Sequence, residues 1–388
     1  MTKSFFALLI AQFLSAFADN AMLFVIITSV IQTSAPAWYV SALQSVFLVA
    51  FFVFAPWTGY ISDKFAKSHV LFAANMVKAL GGILLLCNSE PLIAYGIVGI
   101  GAALYSPAKY GILPELVNRD TLVKANSWIE GSTILAILLG MVIGAKVADR
   151  STSTALGGAI GLFLISALIT CYLPTWLPVK PTENKSALLD FYKQITHFFT
   201  LPIAYFVILG GALFWGTAAT LRVILVAWAP LVLKLNTASD IAQLTLFLAV
   251  GIIIGSGLVS RLISLKNVSF VSFAAYGMAL SIIALSFADK MIDAQLILLL
   301  IGVMGGVFIV PINAELQSLG VDSIGTGHAV AIQGFFHNIA MLCALAIYGY
   351  ATTQSLNPVE AIWYLGSLFF IVIFVLSYSL SFIKKSHL

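Results

Sequence analysis

The chain has 388 residues, of which 61% are hydrophobic and only 9% are charged, with a net charge of +4. A water-soluble domain carries about 25% charged residues, so this composition excludes a soluble globular protein and predicts an integral membrane protein. It also excludes nucleic-acid binding, because the sequence provides no basic, solvent-exposed face.

Apolar runs separated by polar breakers predict an all-α fold of twelve membrane-spanning helices, since a span needs ~20 apolar residues. The first run continues well past the short apolar region of a signal peptide and lacks an A-x-A-like cleavage site, so we expect it to be a retained span. The predicted spans are 4–32, 38–62, 70–88, 92–113, 126–148, 155–175, 203–233, 240–260, 268–287, 293–315, 327–350 and 358–383.

The longest polar interval lies between the sixth and seventh spans. It predicts an N-terminal six-helix bundle over 1–175, a linker over 176–202 and a C-terminal six-helix bundle over 203–388. The second part of the linker, SALLDFYKQITHFF, is predicted to form a short surface helix.

Lysines and arginines are distributed unequally between the two sets of loops. With the N-terminus in the cytoplasm, 13 of them fall on the cytoplasmic side and 4 on the outer side, while Lys78 and Arg222 remain inside spans. The positive-inside rule therefore predicts a multi-pass protein with both termini in the cytoplasm.

Two six-span halves joined by a cytoplasmic linker resemble the major facilitator superfamily, in which the halves rock around a site near the membrane midplane. The loop after the second span resembles the signature of that superfamily, with Gly59, Asp63 and Lys64 in place and Ala66 replacing a usual glycine. We expect Gly59 to permit close helix approach. Asp63 is expected to cap a neighbouring helix N-terminus and to pair with a cation.

The first span carries polar residues near its middle. Gln12, Ser15 and Asp19 are spaced three and four apart and share one helix face, and Asn20 follows directly. A carboxylate at the centre of a span costs roughly 2.5–3.5 kcal/mol and usually has a partner in a bundle interior or a wet cavity. We predict that Asp19 faces Arg222 across a central cavity in at least one state, where the guanidinium can exchange the carboxylate for an anionic headgroup. The alternative is a static pair that locks two helices together.

The other ionisable residues within or near spans lie toward the cytoplasm. Lys78, Lys109 and Glu130 are predicted to form a second charge cluster that, with the Asp63–Lys64 loop, closes the inner mouth. The alternative for Lys78 and Glu130 is that their side chains extend to the membrane interface.

Spans seven and eleven present further candidate contacts. Trp215 lies on the same side of span seven as Arg222, and the small residues between them leave space beside the guanidinium. Gln333 and His337 are four apart in span eleven and share a face. His337 is interpreted either as a packed or hydrogen-bonded residue or as a proton relay.

A run of glycines in span ten, Gly302, Gly305 and Gly306, predicts close helix packing. It is not a phosphate-binding loop, because no strand precedes it. The three cysteines lie in separate apolar segments and show no disulfide or metal-ligand spacing, so neither a metal nor another cofactor is expected.

Five longer strings closely resemble the bacterial lysophospholipid transporters of the major facilitator superfamily. They are AQFLSAFADNAMLF (11–24), LYSPAKYGILPEL (104–116), LVKAN (122–126), LFWGTAATLRVILVAWAP (213–230) and GVMGGVFIVPINAELQ (302–317). The resemblance implies that a lysophospholipid, chiefly 2-acylglycerophosphoethanolamine, moves from the outer to the inner leaflet of the bacterial inner membrane for reacylation. It also implies a separate acyltransferase/acyl-carrier-protein synthetase as partner. We expect a monomer.

The resemblance implies functional roles at the motif positions Asp19, Asn20, Lys109, Glu130 and Arg222. The string QGFFHNIAM (333–341) departs from the family pattern, because it has a histidine where the family carries an acid. An acid and a base in one cavity suit a zwitterionic headgroup, and the 28 phenylalanines of the chain suit an acyl tail.

Two other functions are weighed against lipid transport. A proton-coupled exporter of drugs or small amphiphilic metabolites would use Asp19 as its proton site, since desolvation favours the neutral carboxyl group. A membrane acyltransferase would need a histidine and an aspartate five positions apart, with the histidine as general base. The residues five beyond the histidines are Ala74, Pro202, Gln333 and Leu342, so the sequence predicts that the protein is not an enzyme.

Overall fold

The computed structural model describes residues 2–32, 38–175, 187–235, 238–262 and 269–386, and within these ranges it contains helices and no strand. The helices of the described ranges, in chain order, are α1 (Lys3–Gln32), α2 (Trp38–Lys64), α3 (Lys67–Leu86), α4 (Pro91–Gly111), α5 (Leu113–Leu116), α6 (Arg119–Arg150), α7 (Thr152–Thr170), α8 (Ala187–Phe198), α9 (Pro202–Leu233), α10 (Ala238–Leu262), α11 (Ser269–Leu285), α12 (Met291–Asp322), α13 (Thr326–Thr353) and α14 (Pro358–Ser386).

Each of the twelve predicted spans coincides with one long helix, so the predicted all-α membrane fold is confirmed. Ten helices of the described ranges are long and apolar enough to cross a bilayer. The apolar parts described for α10 and α11, Leu244–Val259 and Val271–Leu285, are shorter. The short helix predicted in the second part of the linker is confirmed as α8.

The chain forms two compact units. Unit 1 comprises Met1–Ala125, Ser132–Phe198 and Gln317–Phe335, and unit 2 comprises Asn126–Gly131, Phe199–Leu316 and Phe336–Leu388. The helices α6, α12 and α13 therefore contribute residues to both units. The predicted division of the chain at 176–202 stays a prediction, and its first part, 176–186, lies outside the described residues.

Unit 1 is built on helix pairs in which α3 packs on α4 and α7, α2 packs on α4, and α1 packs on α7. Their shared core is apolar and includes Val25, Leu43, Val98 and Phe163, each fully buried. Apolar residues occur on all sides of these helices. The polar residues of α1 and α3 are therefore surrounded by apolar packing inside the unit.

In unit 2, the glycine run predicted to allow close packing does so between α10 and α12. A methyl group added at Gly302 would meet the carbonyl oxygen of Leu248 and would lie 2.9 Å from the Cα of Gly251. One added at Gly306 would lie 2.6 Å from the carbonyl oxygen of Ile252. The prediction of close approach is confirmed, since only glycine leaves room for backbone-to-backbone contact here.

We expect Gly302→Ala to destabilise unit 2 by about 1–3 kcal/mol, because the obstructing atoms belong to backbone that cannot rotate away. The matched control is Gly257→Ala in α10, where an added Cβ has open space within 4 Å. Thermal unfolding in detergent should show a lower midpoint for Gly302→Ala than for the control. Equal midpoints would contradict the close contact.

Candidate functional site

Asp19 in α1 is paired with Lys78 in α3. The Nζ atom of Lys78 lies 2.7 Å from Asp19 Oδ2, and the two side chains are 1% and 17% exposed, respectively. Lys78 is thus the ion-pair partner of Asp19 within unit 1, and the prediction that Asp19 faces Arg222 in at least one state stays a prediction. The interpretation in which Lys78 extends to the membrane interface is also wrong, since its ammonium group is buried.

A chain of hydrogen bonds extends from this ion pair through unit 1. Lys78 Nζ donates to Ser15 Oγ at 3.0 Å, and Ser15 Oγ donates to Asn75 Oδ1 at 2.8 Å. Asn75 Nδ2 then donates to Ser166 Oγ at 2.9 Å, which in turn donates to the carbonyl oxygen of Ala11 at 2.7 Å. The chain joins α1, α3 and α7, and such a network fixes the lysine more firmly than a single contact would.

Aromatic rings complete the surroundings of the Lys78 ammonium. Its Nζ atom lies 4.7 Å from the ring centroid of Tyr105 and 5.5 Å from that of Phe163. Both distances suit cation–π attraction, which strengthens when the cation is desolvated. The charge of Lys78 is thus offset on one side by Asp19 and on the other by two π faces.

One carboxylate oxygen of Asp19 has no hydrogen-bond donor among the described residues. Within the described ranges, Asp19 Oδ1 is buried and has no hydrogen-bond donor. Lys109 in α4 interacts electrostatically with the same carboxylate. Asp19 is therefore held by Lys78 through one oxygen and presents the other as an acceptor that a donor could still occupy.

The two other polar residues predicted in α1 make local contacts. Gln12 is 1% exposed, donates to Ser132 and accepts a hydrogen bond of 3.0 Å from Thr133 Oγ1. Asn20 Nδ2 donates to the carbonyl oxygen of Ala16, one turn earlier, at 2.9 Å. Gln12 thus connects α1 to α6, while the amide of Asn20 is partly satisfied by its own helix.

In unit 2, Trp215 of α9 and His337 of α13 lie together, with ring centroids 6.3 Å apart. His337 is 9% exposed, and its Nε2 atom has no hydrogen-bond partner among the described residues. Arg222 lies two turns beyond Trp215 on α9, and its side chain is exposed. Within the described part of unit 2, no hydrogen bond or ion pair involves Arg222. Gln333, on the part of α13 that belongs to unit 1, is buried.

Glu130 of α6 belongs to unit 2 and is bound there by a residue of α12. Asn313 Nδ2 of α12 donates to Glu130 Oε1 at 2.9 Å, and Glu130 is 4% exposed. Its predicted extension to the membrane interface is therefore wrong. The Lys109 ammonium lies 4.3 Å from the ring centroid of Tyr110. Lys78 and Lys109 both interact with the Asp19 carboxylate in unit 1, and the prediction of one cluster that also contains Glu130 stays a prediction.

Asp63, at the end of α2, caps α13 as predicted for a helix N-terminus. Its Oδ1 and Oδ2 atoms accept hydrogen bonds of 2.8 Å each from the backbone N–H groups of Gly327 and His328. Gly59 allows this approach, since an added Cβ would lie 2.9 Å from Ala331 Cβ. Lys64 is exposed, with its ammonium 5.0 Å from the ring centroid of Tyr60. We refer to the contact of Asp63 with the backbone of Gly327 and His328 as the α13 cap.

Further charged pairs of unit 1 lie near the start of α3, in α5 and near the start of α6. Lys67 Nζ lies 2.6 Å from Glu115 Oε1, and Arg119 forms an ion pair with Asp322. No role is predicted from the sequence for Lys67, Arg119, Asp322 or His328. Only His328 had a local signal, because it directly follows a Gly-Thr-Gly turn that precedes an apolar helix.

The described helices define a multi-pass membrane protein with ionisable side chains held inside its spans. The model of the Major Facilitator Superfamily matches residues 8–347. The lysophospholipid transporter LplT of Escherichia fergusonii is 38% identical over 375 residues, covering 96% of this chain and 94% of that protein. The protein of the same name from Photorhabdus laumondii is 39% identical over 351 residues, covering 90% and 88%.

A solved structure of similar fold is the fucose:proton symporter FucP of E. coli. It superposes with a TM-score of 0.78 at 14% identity and covers 97% of this chain and 98% of that chain. At that identity the likeness concerns the fold alone. The chain belongs to the Major Facilitator Superfamily and, within it, to the family of transporters whose curated members are named lysophospholipid transporter LplT.

Proposed function

We propose that the protein transports lysophospholipids, such as 2-acylglycerophosphoethanolamine, from the outer to the inner leaflet of the bacterial inner membrane. The observation that carries the proposal is identity of 38% to a lysophospholipid transporter over 96% of the chain. Identity that extends over almost the whole chain, rather than over one motif, favours a shared substrate class.

Each unit contributes polar groups that suit a zwitterionic headgroup. In unit 1, the open Oδ1 atom of Asp19 accepts a hydrogen bond from the ammonium of the headgroup. Lys78 pairs with that carboxylate and holds it in place. In unit 2, Arg222 binds the phosphate, because a guanidinium can donate two parallel hydrogen bonds to its oxygens.

The remaining predicted contact residues serve the rest of the lipid. Trp215 offers an apolar ring to the glycerol and the first part of the acyl chain, and His337 offers its unpartnered Nε2 atom to the free hydroxyl of the glycerol. Gln12, Asn20 and Gln333 are the further polar residues that we propose for contact with the substrate. The transporter acts as a monomer with both termini in the cytoplasm. A separate acyltransferase/acyl-carrier-protein synthetase reacylates the delivered lipid.

The test is flipping of fluorescent lysophosphatidylethanolamine in proteoliposomes that contain the purified protein. We expect protein-dependent loss of label from the outer leaflet, no movement of the diacyl lipid, and rates that persist when an ionophore collapses the proton gradient. A rate that falls to the protein-free level with the ionophore would favour the proton-coupled exporter instead. Absence of flipping under every condition would overturn the proposed function.

A further inference from the structure

The linker helix α8 belongs to unit 1 and packs with one face against other helices of that unit. Asp190 and Phe191 of that face are 4% and 5% exposed, and α8 lies against α2. The ring of Phe191 lies 5.6 Å from that of Phe335 in α13, and the Phe335 ring stacks on Phe52 of α2 at 5.1 Å. The linker helix is therefore docked on the two helices that the α13 cap joins.

His328 connects Asp190 of α8 to this cap. Its imidazole is 4% exposed, with Nδ1 2.7 Å from Asp63 Oδ2 and Nε2 3.6 Å from Asp190 Oδ2. The two ring nitrogens thus face carboxylates on different helices. The same imidazole is therefore placed to interact with Asp63 through one nitrogen and with Asp190 through the other.

The surroundings of the cap leave little freedom for His328 and Asp63. Gly325 has a φ of +92°, and a Cβ added there would meet the Asp63 carboxylate. A Cβ added at Gly327 would lie 2.7 Å from both Asp63 Oδ1 and Ser62 Cβ. The cap therefore depends on a precise position of Asp63. Because His328 contacts Asp63, a group that orients His328 also affects the position of the Asp63 carboxylate.

We propose that Asp190 is a positioning residue of the transport cycle, which acts through His328 to hold the α13 cap closed. The linker helix thereby sets how often α13 separates from the end of α2. Asp190 acts by charge, because 3.6 Å between Nε2 and Oδ2 is an ion-pair distance rather than a hydrogen bond. Asparagine at this position keeps the shape of the side chain and removes the interaction.

The direct test is the reactivity of a buried cysteine placed beside the cap. Ser62 is fully buried and lies against Gly327, so Ser62→Cys reports separation of α13 from α2. The three native cysteines are exposed and are first replaced by serine. Asp190→Asn and His328→Gln are then added singly and together, and the rate of N-ethylmaleimide labelling is measured in membranes. The matched control is Asp289→Asn, because Asp289 is exposed and lies outside unit 1.

We expect Asp190→Asn to raise the labelling rate by roughly tenfold, the loss that corresponds to one charge-assisted contact. The double variant should label no faster than His328→Gln alone, because both changes act on the same contact. Asp190→Glu should restore protection, and the thermal midpoint should stay that of the parent. An unchanged rate in Asp190→Asn, multiplied effects in the double variant, or a lowered midpoint without rescue by glutamate would each overturn the proposal.

The rate of transport gives a second readout, which rests on the proposed function. Asp190→Asn should change kcat for lysophosphatidylethanolamine while KM stays within about twofold, because Asp190 does not touch the substrate. A change confined to KM would count against a positioning role. Cysteine labelling needs no substrate, so failure of the proposed function and failure of this proposal give different results.

Discussion

Lys78→Met is expected to destabilise the protein by about 3–5 kcal/mol, because it leaves the Asp19 carboxylate buried without its cation. The methionine also removes the hydrogen bond that Lys78 donates to Ser15, the first bond of the chain through unit 1. Adding Asp19→Asn should recover much of the stability, since the uncompensated charge is removed with its partner. Transport should stay at background in the double variant, because the acceptor for the headgroup ammonium is lost as well.

The measurement is thermal unfolding in detergent, followed by flipping assays on the variants that fold. Lys290→Met is the matched control, because Lys290 is an exposed lysine in the connection before α12. Its unfolding midpoint should equal that of the parent. A double variant that transports at the parental rate would limit the ion pair to a structural role.

Arg222→Gln is expected to slow transport strongly and leave the fold intact. Within the described part of unit 2, no hydrogen bond or ion pair of Arg222 would be lost, so the unfolding midpoint should change little. A charge-assisted contact to phosphate is worth about 1.5–3 kcal/mol, which corresponds to roughly 10–100-fold in kcat/KM. Arg222→Lys should recover only part of this, because an ammonium cannot form the bidentate contact.

The comparison for Arg222 is Arg150→Gln, at the exposed end of α6. We expect it to transport at the parental rate. The two variants are compared by the initial flipping rate over a series of lipid concentrations. Equal rates for Arg222→Gln and Arg150→Gln would show that Arg222 is not part of the substrate path.

The helices of this protein could be predicted from its sequence because each span is a local run of apolar residues. Twenty or more apolar residues between polar breakers are enough to place a span, and the twelve predictions coincide with twelve helices. The glycines of α12 were predictable for the same reason, since a close helix contact in a membrane requires small residues. The division into units was harder, because α6, α12 and α13 each belong to both.

The partner of Asp19 could not be predicted, because spacing fixes the face of a helix and not its neighbour. Asp19 and Arg222 occupy similar depths in corresponding spans, which made them the natural pair. Lys78 was placed nearer the cytoplasm, yet the flexible four-carbon stem of lysine carries its ammonium several ångströms from its Cα. Which neighbouring group a long side chain contacts depends on the tertiary structure and cannot be read from the sequence of one span.

Other contacts depended on residues far apart in the chain. Glu130 is bound by Asn313, and His328 lies against Asp63 and Asp190, with sequence separations that local patterns do not cover. The capping role of Asp63 was predictable from the loop signature, whereas the identity of the capped helix was not. Polar groups buried in a membrane protein need partners, but this requirement does not identify the partner residues.

The most direct test of the central claim is density for lysophosphatidylethanolamine bound to the purified protein. The account predicts that the headgroup lies within hydrogen-bonding distance of Asp19 Oδ1 or of the Arg222 guanidinium, with Asp19 still paired to Lys78. A headgroup bound away from both residues, with their side chains directed into the lipid hydrocarbon, would contradict it.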